Sequence, residues 1–249
     1  MSETTCDAFL GGRVQILQPR HGYRAATDPV FLAAACPAKS GARVLELGCG
    51  VGVASLCLAA RVPGLTLVGV ERQAAYAALA RRNAETAGAD LSVVEADLAR
   101  LPADLRQQGF DHVLANPPFF AHGDGTAARD AGREAANREA TPLADWIATA
   151  RARLVPMGWL TLIHTAARLP DCLVALQDGF GAITVLPMQP RPGREASRIL
   201  VRARKGAHAP FRLLPPFVVH GSATHPGDAP DFTEAAESVL RHGAALPVE

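Results

Sequence analysis

The chain has 249 residues, of which 49% are hydrophobic and 20% charged, which suits one large domain with a sizeable core. Lysine and arginine total 25 against 24 acids, a net charge of +1, so no global imbalance marks out a nucleic-acid partner. Five cysteines without a C-x-x-C pair exclude a disulfide framework, and eight scattered histidines give no metal-ligand spacing.

The opening MSETTCDAF is polar and acidic, unlike a signal peptide. The apolar region 44–70 is broken by Glu46, Arg61 and Pro63, unlike a membrane span. A reducing cytoplasm is the expected compartment, and a monomer is the default. Residues 43–47, RVLEL, read as a short buried strand, followed by Gly48-Cys49-Gly50-Val51-Gly52 and an alanine- and leucine-rich helix over 53–62 that Pro63-Gly64 stops. A second strand is expected over 65–71, a helix over 73–87 with Gly88 as its stop, and further strands over 91–97 and 111–115. Next comes Asn116-Pro117-Pro118-Phe119-Phe120, then a polar, alanine-rich stretch over 121–140, long for a loop without a function. A helix over 142–153 is expected with Thr141 as its cap and Pro142 in its first turn. A strand over 159–164, a helix over 169–178 and strands over 181–187 and 198–204 follow. The tail shows a strand-like PFVVH and a helix-like 232–241.

Alternating strands and helices, with nearly continuous apolar strands, predict an α/β fold. The expected core is a Rossmann-like sheet of seven strands, mostly parallel, with an antiparallel hairpin at one edge and helices on both faces. The expected organisation is a covering segment over 1–39, the main domain over 40–205 and a C-terminal extension over 206–249 packed on the same domain.

Three features fall at the carboxyl ends of strands, where open α/β sheets bind ligands. The turn Gly48-x-Gly50-x-Gly52 lets a ligand approach the backbone beside a helix start, although it departs from G-x-G-x-x-G. Glu71 ends the second strand, placed to accept hydrogen bonds from a ribose, and Asp97 ends the third, placed to meet an adenine edge. Together they predict a ligand that contains adenosine.

The NPPF segment fits a fourth such position. A planar amino nitrogen shares its lone pair with a π-system and is a poor nucleophile. Two acceptors aimed at its N–H bonds favour the tetrahedral geometry it needs to take a methyl group. The Asn116 side-chain oxygen and the Pro117 carbonyl suit that task, with Pro117 and Pro118 fixing the backbone. Phe119 suits stacking on a flat base.

VLELGCGVG, VGVE, EAD and NPPFF together resemble the class I S-adenosylmethionine-dependent methyltransferases of the N-P-P-[YF] group, over about residues 40–205. With DAFLGGRVQILQPRHGYRAATDPVFLAAA and TPLADWIATARARLVPMGWLTLIH, the chain is similar to the bacterial tRNA1(Val) adenine-N6 methyltransferase family. That resemblance implies S-adenosylmethionine as cofactor, no metal, and a tRNA substrate methylated on the adenine next to the anticodon. It implies Asn116, Pro117, Pro118 and Phe119 as the catalytic segment, with Asn116 also at the cofactor. Gly48 and Gly50 then line the methionine, with Glu46 and Cys49 beside them; Glu71 takes the ribose and Asp97 the adenine. Thr27 and Asp28 fall where the group often places cofactor-side contacts, and Phe119 replaces a commoner tyrosine.

Residues 191–205 carry a net of +5, including Arg191, Arg194 and Arg198, and residues 13–24 carry Arg13, Arg20 and Arg24 without an acid. These six arginines are the expected phosphate contacts. Alternatives are a protein glutamine methyltransferase, an N6-adenine methyltransferase acting on another nucleic acid, a nicotinamide-dependent dehydrogenase and a non-catalytic S-adenosylmethionine-binding module. The dehydrogenase lacks a proton-relay His or Tyr beside NPPFF.

Overall fold

The computed structural model describes residues 3–121, 138, 139, 141–224, 231–246 and 248. The chain opens with an antiparallel hairpin that the sequence pattern did not announce, β1 (Thr4–Phe9) and β2 (Val14–Pro19), joined by a tight turn at Leu10–Gly12. Helix α1 (Asp28–Ala35) leads into β3 (Arg43–Leu47), α2 (Val53–Arg61), β4 (Thr66–Glu71), α3 (Ala74–Ala87) and β5 (Leu91–Glu95). A short α4 (Ala103–Arg106) precedes β6 (Phe110–Ala115), and β7 (Phe120–Ala121) pairs in parallel with β8 (Arg138–Glu139). Then come α5 (Leu143–Arg153), β9 (Leu154–Thr165), α6 (Leu169–Leu176), β10 (Phe180–Gln189) and β11 (Arg198–Lys205). The tail contributes β12 (Arg212–Leu213), β13 (Phe217–Val218) and α7 (Glu234–His242).

The sheet runs β12–β10–β11–β9–β6–β3–β4–β5, with β13 also on β10. Its seven long strands match the expected fold class. β11 is antiparallel to both β9 and β10, while β9, β6, β3, β4 and β5 pair in parallel. Apolar strands are needed because both faces are covered. Val44, Leu67, Leu114, Ile163 and Leu200 join a core with α1 and α2. Their neighbours Leu45, Val68, Val113, Leu162 and Val201 join a second core with α5 and α6.

Two local expectations change. Pro142, not Thr141, stands at the cap of α5; its carbonyl accepts from the Asp145 and Trp146 N–H groups, while the Thr141 carbonyl accepts from Trp146 Nε1. β9 begins at Leu154 rather than 159, because a register irregularity between Phe110 and His112 accommodates the extra residues opposite β6. The stretch 121–140, long for a loop without a function, lies almost wholly outside the described residues.

Both sheet edges are occupied to some degree. β12 and β13 lie along β10, where Leu214 N–H donates to the Val185 carbonyl and Val219 N–H to the Gln189 carbonyl. At the other edge, Arg81 of α3 donates to the Val93 carbonyl of β5 from Nε at 3.2 Å and from its terminal nitrogen at 3.0 Å. The tail also enters the core: Val239, Leu246 and Val248 pack with Leu10, Val30 and Phe31. Among the described residues no helix is long and apolar enough to cross a membrane.

Asn83 of α3 ties the hairpin to the glycine turn. It is fully buried; Nδ2 donates to the carbonyls of Leu17 at 3.1 Å and Val51 at 2.9 Å, and Oδ1 accepts from Leu17 N–H at 2.9 Å. Asn83→Leu keeps the volume but strips the partners from these backbone groups. At about 1–3 kcal/mol per buried unsatisfied group, it is expected to cost ~3 kcal/mol or more of stability. Urea unfolding reads this directly, and an unchanged midpoint would show that water replaces the amide without loss.

Candidate active site

The parallel register places the ends of β3, β4 and β6 side by side, with Leu47 opposite Val70 on one flank and Ala115 on the other. The residues that follow each strand therefore share one cavity. It is lined by Gly48, Cys49 and Gly50 from the first turn, Glu71 from β4, Asp97 after β5, and Asn116 to Phe119 after β6.

The glycines of the turn do different work. All three have positive φ: 63° at Gly48, 55° at Gly50 and 89° at Gly52. A Cβ on Gly48 would lie 2.5 Å from the Trp146 ring, so Gly48 is needed for packing under the cavity as well as for the turn. A Cβ on Gly50 would meet nothing within 4 Å and would project into open space. Gly69 on β4 belongs to the same construction, because a Cβ there would come within 2.7 Å of Cys49 Sγ.

The acids are held by backbone N–H groups. Glu71 accepts from Gly50 N–H at 3.0 Å on one oxygen and from Gln73 N–H at 2.8 Å on the other. Burial raises its pKa, and those two bonds oppose the shift. Glu46 is buried at the floor, where one oxygen accepts from Ser55 N–H at 2.9 Å and from the Ser55 hydroxyl, in the first turn of α2. Burial pushes its carboxyl up to about 7 against those bonds, and Glu71 adds to the rise. Asp97 accepts from Ala99 N–H at 2.9 Å, capping a short turn, and still faces the cavity.

At the far side, Asn116 Oδ1 is buried and has no hydrogen-bond partner among the described residues. A buried acceptor without a partner is costly, and a donor supplied by a ligand relieves that cost. Phe119 is half-buried at the same wall.

Several lining residues were missed from sequence. Tyr23, Ala25 and Pro29 close the cavity from the N-terminal segment, and Tyr76 and Trp146 from α3 and α5. Tyr76 holds Tyr23 in place, accepting from its backbone N–H at 2.9 Å. Tyrosine hydroxyls joined to distant backbone groups leave no spacing signal. His164 was missed because it ends an apolar strand; its ring meets Phe119 edge-on at 5.8 Å.

Other expected contacts have partners elsewhere. Thr27 and Asp28 do not line this cavity: Thr27 lies in a groove beside the hairpin, and Asp28 pairs with Arg198 at 3.0 Å. Acids on β1 and just before it meet arginines that looked unopposed, giving Arg20–Glu3 at 3.0 Å and Arg24–Asp7 at 2.5 Å. Arg13 donates to the His242 carbonyl at 3.2 Å. Arg191 binds Asp231 at 2.6 Å and the Ser222 and Thr224 carbonyls, which gives it a structural task in anchoring the tail. Of the six, Arg194 alone has a guanidinium with no partner among the described residues, and it is exposed.

The family described as Methyltransferase small domain matches residues 29–190. A tRNA1(Val) (adenine(37)-N6)-methyltransferase of Aeromonas hydrophila is 29% identical over 192 residues, covering 75% of this chain and 79% of that protein. A release factor glutamine methyltransferase of Geobacter sulfurreducens is 35% identical over 119 residues, 48% of this chain; the chain spans 39% of that relative's length. Among solved structures, an Agrobacterium tumefaciens protein described as a predicted O-methyltransferase superposes with a TM-score of 0.71 at 28% identity, over 88% of this chain and 98% of that one.

Glu46 makes a pH prediction. Its folded pKa of about 7 exceeds the ordinary 4.5, so the folded state keeps a proton that the unfolded chain releases. The stability it contributes is full below about 4.5 and is lost as pH rises through about 7. At ~1.4 kcal/mol per unit the loss is ~3 kcal/mol. Unfolding free energies of wild type and Glu46→Gln, measured at pH 5 and 8, should diverge by that amount in favour of the variant at pH 8; parallel pH profiles would contradict the assignment.

Proposed function

The chain belongs to the Methyltransferase small domain family, S-adenosylmethionine-dependent enzymes of the class I fold, and from that premise we propose that it methylates the exocyclic N6 of an adenine in tRNA, with the adenine next to the anticodon of tRNA1(Val) as the expected target. The observation that carries this reading is the buried, unpartnered Asn116 Oδ1 in the same cavity as the glycine turn and Phe119.

The residues present fit the cofactor. Gly50 leaves open space where a side chain would obstruct a ligand, and Glu71, held by the Gly50 and Gln73 N–H groups, faces the same cavity. When bound, S-adenosylmethionine supplies a methyl group activated by its positive sulfur. Glu71 serves the ribose, Asp97 the adenine edge, and Glu46, Gly48, Cys49 and Gly50 the methionine end.

The acceptor chemistry is assigned to the NPPF segment. Asn116 Oδ1 and the Pro117 carbonyl each accept one N–H of the planar amine, loosening its lone pair from the ring and steadying the charge that develops on nitrogen. Pro117 and Pro118 offer no N–H to compete and hold the backbone rigid. Phe119 gives the base a flat surface, which favours a nucleobase over a flexible amide chain. Neither oxygen needs to be a strong base, because fixing the nitrogen in line is the larger contribution. Arg194, exposed and without a guanidinium partner among the described residues, is assigned to phosphates.

The 35% identity to a release factor glutamine methyltransferase supports a second acceptor, since a glutamine amide presents the same planar nitrogen. Labelled methyl donor offered with unmodified tRNA, release-factor protein or DNA separates the readings. Label in tRNA, and loss of an N6-methyladenosine from tRNA of cells lacking the protein, is the expected result; label in protein alone overturns it. Asn116→Ala should retain cofactor binding while turnover falls roughly 100-fold or more. Normal turnover in that variant removes the role given to Asn116.

A further inference from the structure

We propose that Arg198 is a positioning residue for Phe119: its guanidinium covers one face of the ring and leaves the other as the flat surface for the acceptor. This deepens the acceptor reading above and rests on it. Arg198 Cζ stands 4.3 Å from the Phe119 ring centroid. An aromatic face is electron-rich and attracts a planar cation, which stacks there without needing a counter-charge in the ring.

Three further contacts fix the arrangement. Arg198 Nε donates to Asp28 Oδ2 at 3.0 Å, and a terminal nitrogen donates to the Ser197 carbonyl at 3.2 Å. His164 meets the same phenyl ring edge-on, at 5.8 Å and 68°. Sheet register explains why these groups converge: Arg198 pairs with Thr165 and Ile199 with His164, so β11 and β9 deliver the cation and the imidazole to the same place. Asp28 opens α1, and the next residue, Pro29, lines the cofactor cavity. The ring is thus braced from strand, neighbouring strand and covering helix at once.

The same geometry argues against a phosphate for Arg198. Its guanidinium is already paired with Asp28 and seated over the Phe119 ring, with a side chain only 31% exposed. Moving it to RNA would give up both contacts. Arg194, exposed and unpartnered among the described residues, is the natural comparator.

The test compares Arg198→Ala, Arg198→Lys, Asp28→Asn and Arg194→Ala in kcat, KM and salt dependence, on whichever acceptor the wild type labels. Arg198→Ala should lower kcat roughly tenfold through lost orientation, with the salt dependence of RNA binding parallel to wild type. Arg198→Lys should recover little, because an ammonium does not stack as a plane, and Asp28→Asn should show a smaller loss of the same kind. Arg194→Ala should instead raise KM and reduce the salt slope by ~0.7–0.9. An Arg198→Ala variant that behaves like Arg194→Ala overturns the proposal. If label enters only protein glutamine, the tRNA reading fails, yet the kcat loss is still expected, since that amide is also planar. If the wild type labels nothing, the Arg198 Hε resonance decides: a ring-current shift that disappears in Phe119→Leu supports the stack, and its absence in wild type refutes it.

Discussion

Parallel pairing of β3 with β4 and with β6 is the constraint on which the site depends. Each pairing alone makes a stretch of sheet; together they align three chain exits at one edge. A slip of one residue would turn Val44 and Leu45 to each other's cores and move Asn116 away from the glycine turn. The two apolar layers therefore specify register, and register specifies which polar residues meet. The proposed chemistry asks little more of that edge than oxygens held in fixed positions.

The polar groups of the cavity are satisfied unevenly. Glu71 and Asp97 are already bonded to backbone N–H groups, and Glu46 to Ser55, so these acids are oriented before any ligand arrives. Asn116 Oδ1 is the exception. One wall of the cavity thus carries acids already held by backbone N–H groups, and the other a buried acceptor without a partner among the described residues.

Much of the central sheet was legible because its strands are nearly unbroken apolar runs and its turns carry glycine or proline. The strand 43–47 and the glycine turn needed no tertiary information, and NPPFF could be placed once the fourth strand was recognised. The hairpin β1–β2 was not legible, since TTCDAF and VQILQP mix polar and apolar residues without a turn signal beyond Gly11-Gly12. Charge was the least legible property. Arg20 and Arg24 look unopposed along the sequence, and only the folded N-terminal segment brings Glu3 and Asp7 to them. Arg191 looks like its neighbour Arg194, yet Asp231 reaches it from a tail forty residues on. His164 reads as one more residue of a buried strand until the fold sets Phe119 against it.

The occupied edges of the sheet have a consequence for recognition. β12 and β13 cover one margin with short pieces of the tail, and Arg81 takes a carbonyl of five-residue β5 at the other. An incoming polypeptide finds backbone already paired along β10 and one carbonyl already taken on β5, so fewer groups are left to extend as an added strand. Side chains and loops around the cavity mouth can then vary without disturbing the ladder beneath.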